Sequence, residues 1–90
     1  MSVTSLTATQ AQQKIDSEDV KIVDVRTLEE YIRGHLSGSI SLPLDQLQMQ
    51  ADEILKDKNR AVLVYCLSGS RSLVASQILE SLGYQKIYNL

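Results

Sequence analysis

A chain of 90 residues with 43% hydrophobic and 22% charged residues falls in the ordinary globular range and has room for one small domain, residues 1–90. The net charge of -2 and nine scattered Lys and Arg residues provide no basic stripe, which argues against nucleic acid as a partner. No run approaches the ~18 apolar residues of a membrane span, Met1–Ser5 lacks the basic and apolar regions of a signal peptide, and a single Cys and a single His permit neither a disulfide framework nor a Cys/His metal cluster within one chain. These features read as cytoplasmic, with no membrane partner, no metal and no cofactor.

Taken in order, Thr7-Ala8-Thr9-Gln10 carries capping-box spacing and predicts a helix over about Ala8 to Asp16, with Ala8, Ala11 and Ile15 on its buried face. Val20-Lys21-Ile22-Val23-Asp24-Val25 is a β-branched run too short and too apolar for an amphipathic helix, and reads as a buried strand. Thr27 with Glu30 repeats the capping box ahead of a short helix at Leu28–Arg33 that Gly34 stops, and Ile40-Ser41-Leu42 before Pro43 suits a short strand. Asp45 with Gln48 marks a third capped helix, whose apolar face is Leu44, Leu47, Ala51, Ile54 and Leu55.

Ala61-Val62-Leu63-Val64-Tyr65 reads as a second buried strand, and Lys86-Ile87-Tyr88 as the last one. Between them, Arg71 to Leu82 carries Val74, Ala75, Ile78, Leu79 and Leu82 on one helical face and stops at Gly83. Alternating strands and helices, with continuously apolar strands, predict an α/β fold: a mainly parallel central sheet flanked by helices on both faces. Ligands of such sheets collect outside the carboxyl ends of the strands, so Asp24 and Cys66 should share one rim.

The segment Cys66-Leu67-Ser68-Gly69-Ser70-Arg71-Ser72 lies between a strand and a helix. A helix N-terminus presents unpaired N–H groups and partial positive charge, and a glycine-containing loop before it can turn further N–H groups toward one centre. Such a field stabilises an anion, whether a thiolate, a persulfide or an oxyanion, and should lower the Cys66 pKa from its free value near ~8.5. Arg71 adds a fixed cation, Gly69 permits backbone angles closed to other residues, and Ser68, Ser70 and Ser72 can donate hydroxyl hydrogen bonds or cap the helix. The bland alternative is a buried Cys ending a strand before an ordinary Ser/Gly turn.

Asp24-Val25-Arg26, Glu29-Glu30-Tyr31, Gly34-His35-Leu36, Gly38-Ser39-Ile40, Leu42-Pro43, Val64-Tyr65-Cys66 with the Gly69-Ser70-Arg71-Ser72 loop, and Leu82-Gly83-Tyr84 together resemble the rhodanese family over about Val20 to Leu90. The resemblance implies a sulfurtransferase in which the Cys66 thiolate takes sulfane sulfur from a small sulfur-containing anion such as thiosulfate. The persulfide then passes its outer sulfur to cyanide, a cellular thiol or a protein acceptor. Mapped onto this chain, Cys66 is the nucleophile, backbone N–H groups from Leu67 to Arg71 hold the outer sulfur, and Arg71 favours anionic donors. Asp24 could orient the loop or tune Arg71, or simply accept backbone N–H bonds at a strand end; Arg26 is expected to pair with Glu29 or Glu30, and His35 to be a packing residue.

Two other classes compete. Cysteine phosphatases and arsenate reductases also place Cys at a strand end and Arg at a helix start, but five residues separate them there and four do here, a ring better sized for one sulfur atom than for phosphate. A non-catalytic binding or regulatory module of the same fold is the other, and its relatives often lack the cysteine. Rhodanese domains normally continue into a Gly-Gly segment and a Trp-bearing helix, whereas this sequence stops at Leu90 without Trp. The C-terminal helix is therefore expected to be missing, leaving apolar sheet surface and a tendency to low stability or self-association.

Overall fold

Thr7 and Thr27 each stand one residue ahead of a helix, and each cap is reciprocal: the threonine Oγ accepts the N–H three residues on, while the Gln10 or Glu30 side chain accepts the threonine's own N–H. The computed structural model describes residues 3–67 and 69–90. In chain order they form β1 (Val3–Ser5), α1 (Ala8–Ser17), β2 (Val20–Asp24), α2 (Leu28–Arg33), β3 (Ile40–Ser41), α3 (Leu44–Leu55), β4 (Ala61–Tyr65), α4 (Ser70–Ser81) and β5 (Ile87–Asn89). The sheet runs β1-β5-β4-β2-β3 and every pairing is parallel.

Alternation along the strands divides the core in two. Val62 and Val64 of β4 join Val23, Leu47, Ala51, Ala75 and Leu79 in the layer under α3 and α4, while Ala61, Leu63 and Tyr65 turn to the other face, with Ile22, Tyr88 and Ala11 of α1. The expected arrangement of helices on both faces is present, and β4 is buried at every position because it is covered on both sides. The α1 face also bears a groove of about 570 Å³ lined by Ala8, Ala11, Ile15, Ile22, Leu36 and Leu90.

Several local expectations fail for identifiable reasons. β1 gave no sequence signal, since a three-residue Val-Thr-Ser edge strand has no apolar run; it exists because it pairs with β5, Val3 opposite Ile87. Ala8 is exposed, so Ala11 and the half-buried Ile15 carry the α1 contact. α3 begins at Leu44, one residue ahead of Asp45, with Pro43 at its N-cap and no side-chain cap, because the proline ring carries no acceptor; the Leu44 N–H goes to the Val25 carbonyl (3.1 Å). Gly34 does end α2, but at φ 162°, extended backbone open to any residue. On α4, Val74 is exposed while the small Ser72 and Ser76 are fully buried against the sheet.

The carboxyl ends of β2 and β4 are tied by Asp24, which is 0% exposed. Its Oδ1 accepts the Arg26 N–H (2.9 Å) and Nε–H (3.0 Å), its Oδ2 accepts Arg26 Nη2 (2.7 Å) and the Tyr65 hydroxyl (2.8 Å). Arg26 Nη2 also donates to the Gly34 carbonyl (2.7 Å), and Tyr65 Oη accepts the Leu36 N–H (3.0 Å). Arg26 therefore does not pair with Glu29 or Glu30: two residues along extended backbone its side chain returns to the same side as Asp24, within bidentate reach.

Burial opposes ionisation of Asp24, but the Arg26 side chain, the Arg26 N–H and the Tyr65 hydroxyl outweigh it and hold its pKa below the ordinary carboxylate value. Glu30, hydrogen-bonded by Arg71, is lowered from 4.5 to about 2. Groups with depressed folded-state pKa values contribute stability above their unfolded pKa and lose it as pH falls, so the urea midpoint should hold down to about 4.5 and decline between there and about 2. Asp24→Asn should lower the unfolding free energy at neutral pH by roughly 3 kcal/mol, because it strands a largely buried guanidinium. An unfolding free energy for Asp24→Asn within ~0.5 kcal/mol of the parent would show that this network does not hold the rim.

Candidate active site

Cys66 follows β4 directly and lies half-buried at the carboxyl end of the sheet, beside the Asp24 end of β2 with which Tyr65 is in register. The common rim inferred from the sequence is present. Gly69 forms the N-cap of α4 at φ 86°, a left-handed conformation that favours glycine, and its own side of the helix has no side-chain cap. The sulfur fills that place. Cys66 Sγ accepts the Gly69 N–H (3.0 Å) and the Ser72 N–H (3.3 Å), and Ser72 is the third residue of the helix, whose N–H a capping oxygen would ordinarily receive.

Ser72 is completely buried, so its hydroxyl serves the loop rather than a ligand. It donates to the Gly69 carbonyl (3.0 Å) and lies 3.4 Å from the Leu90 carbonyl, while the Cys66 thiol can donate to it across 3.5 Å. Ser70 opens α4 and Leu67 projects outward with 80% of its surface exposed; Ser68 lies outside the described residues. Of the backbone stretch expected to face the sulfur, Gly69 supplies one donor, and a further donor comes from Ser72, one residue beyond it.

Arg71 occupies the first turn of α4 but is not held open for a ligand. Its Nη1 and Nη2 donate to Glu30 Oε1 (2.7 Å) and Oε2 (3.1 Å), a bidentate pair across 41 residues of chain. The Glu30 contact, with a smaller contribution from a charged Cys66, raises the already high Arg71 pKa. Neither Asp24 nor Arg26 contacts this pair; they act one step away, through Tyr65 and the 34–39 segment. Burial, countered in part by the Ser39 and Leu36 contacts, raises the Tyr65 pKa, so its hydroxyl stays a donor to Asp24.

Local sequence spacing does not mark Glu30 or Tyr65 as site residues. Glu30 read as a cap, which it also is, and no local spacing signals a partner so distant; Tyr65 read as the end of a strand. His35 stacks on Tyr31 with ring centroids 3.7 Å apart and its Nδ1 sits 2.7 Å from the Tyr31 carbonyl, a packing role. Among the described residues no cluster of three His, Cys, Asp or Glu side chains could hold a metal ion, and no helix is long and apolar enough to cross a membrane.

Comparison with known proteins fits this geometry. A sulfurtransferase of Allochromatium vinosum is 38% identical over 80 residues, covering 89% of this chain and 73% of that protein. A tRNA uridine(34) hydroxylase of Yersinia pestis is 35% identical over 89 residues, covering 94% of this chain but 25% of that protein; the chain spans less than half the length of several curated relatives it matches. Among solved structures, a rhodanese with anions from E. coli superposes with a TM-score of 0.75 at 36% identity, covering 78% of this chain and 82% of that one. The rhodanese-like domain model matches residues 7–90. With the parallel sheet, the glycine-capped loop and the cysteine at the end of β4, that match establishes that the chain belongs to the rhodanese-like domain family.

Proposed function

We propose that the protein is a sulfurtransferase that carries sulfane sulfur on Cys66. The observation that supports this most directly is the convergence of the Gly69 and Ser72 N–H groups on Cys66 Sγ at the start of α4, at the carboxyl end of a parallel sheet. Donors fixed in the backbone stabilise a sulfur anion without reorganising, and they favour the thiolate over the thiol. A thiolate is the nucleophile the reaction needs, and no separate base is required.

In the forward half-reaction the Cys66 thiolate attacks the outer sulfur of a donor such as thiosulfate. The donor's S–S bond breaks, sulfite leaves with the bonding electron pair, and a new S–S bond makes the Cys66 persulfide anion, so the total charge is unchanged. In the second half-reaction cyanide or a thiolate attacks the outer sulfur, and Cys66 departs as thiolate. The amides that hold Sγ lie at the mouth of a helix with its partial positive charge, where the displaced negative charge of the outer sulfur is also favoured. Arg71 contributes less to this field than its place in the loop suggests, because Glu30 already neutralises it.

Intact mass after incubation with thiosulfate should show one added sulfur that dithiothreitol removes and that Cys66→Ser never acquires. Cys66-dependent hydrolysis of an aryl phosphate by a protein that gains no sulfur would instead favour phosphatase chemistry, and partner binding unaffected by Cys66→Ser would favour a pure binding module. Independently, the alkylation rate of Cys66 with iodoacetamide should be half-maximal at a pH below the ~8.5 of a free thiol. A midpoint above ~9 would mean that the amides do not stabilise the anion.

A further inference from the structure

The Arg71–Glu30 pair changes what the site can attract. Arg71 is the second residue of the helix whose Ser72 N–H bonds Cys66 Sγ, and it lines a cleft of about 380 Å³ with Val25, Arg26, Pro43, Leu44 and Asp45. A small dianion is normally gripped by the planar fork of a guanidinium, two N–H groups on two oxygens. Each guanidinium of this cleft already holds a carboxylate in that way, Arg26 with Asp24 and Arg71 with Glu30, and Asp45 adds a negative charge of its own. Val25, Pro43 and Leu44 make much of the rest of the lining apolar.

Glu30 is not a casual partner. Its Oε1 also accepts the Thr27 N–H (3.1 Å) and lies 3.2 Å from the Thr27 hydroxyl, so the carboxylate is fixed by the α2 cap as well as by Arg71. Its retention beside Arg71 is set by backbone geometry, and an incoming anion would have to displace it while leaving the cap unsatisfied. Resting on the sulfur-carrier function proposed above, we propose that Glu30 is a specificity-determining residue: by occupying the Arg71 guanidinium it disfavours small dianionic donors such as thiosulfate and favours organic persulfides of lower net negative charge.

For such a donor the transfer balances in the same way. The Cys66 thiolate attacks the outer sulfur of R–S–SH, the S–S bond breaks, the electron pair leaves on R–S⁻, and the proton of the donor's S–H passes to it, giving R–SH and the Cys66 persulfide anion. Nothing is oxidised or reduced overall.

Glu30→Gln keeps the Oε1 that accepts the Thr27 N–H and Arg71 Nη1, but removes the negative charge and the second acceptor that close the fork on Arg71. The readout is the ratio of kcat/KM for thiosulfate to kcat/KM for cysteine persulfide, followed as sulfur added to Cys66. Removing one charge near the donor should raise this ratio about tenfold and make the thiosulfate rate fall more steeply with sodium chloride. Adding Arg71→Gln to Glu30→Gln should abolish the gain, and Arg71→Gln alone should lower the ratio by exposing the Glu30 charge. A ratio unchanged in Glu30→Gln, or a gain that survives loss of Arg71, would overturn the proposal while leaving sulfur transfer through Cys66 intact. Failure of the parent protein to take sulfur from either donor would overturn both.

Discussion

A single buried carboxylate governs the working end of this molecule. Asp24 has no solvent to hydrate it, so it stays ionised only because Arg26, the Arg26 amide and Tyr65 all point at it. Each of those groups is thereby fixed in turn. Arg26 reaches on to the Gly34 carbonyl and Tyr65 to the Leu36 amide, so the chain leaving α2 is held over the ends of β2 and β4. The residue that follows Tyr65 is Cys66, and its position is inherited from that anchorage.

The sulfur then does structural work of its own. α4 starts on a glycine that has no side chain to cap it, and Cys66 Sγ receives the amide that a cap would otherwise take. The same two hydrogen bonds close the start of α4, and bonds of this kind are stronger to a charged acceptor than to a neutral one. The helix start and the surroundings of the sulfur are therefore coupled through one atom. Ser72, buried beneath the loop, joins its carbonyl at Gly69 to the helix and keeps the turn closed around the sulfur.

Charge is distributed with similar economy. The two guanidiniums at the rim are each matched by a carboxylate, while Cys66 Sγ accepts directly from amides at the start of α4. Amide donors are short-ranged and directional, which suits a single sulfur atom held at about hydrogen-bond distance. A guanidinium would act over a longer range and draw in anions indiscriminately.

The amino-acid sequence alone determined the larger elements, the parallel α/β architecture and the placing of Cys66 on the strand-end rim beside Asp24, because these follow from near-neighbour patterns: apolar runs at Val20–Val25 and Ala61–Tyr65, threonine caps three residues from Gln10 and Glu30, and a glycine in the Cys66 loop. What only the tertiary structure decided were pairings across long separations. The edge strand Val3–Ser5 exists through β5 at the other end of the chain, Tyr65 reaches Asp24 and Leu36, and Glu30 serves its local cap while meeting Arg71 41 residues away. The partner of Arg26 is a local matter that spacing alone leaves open: Asp24, Glu29 and Glu30 all lie close in sequence, and the folded rim brings its guanidinium to Asp24.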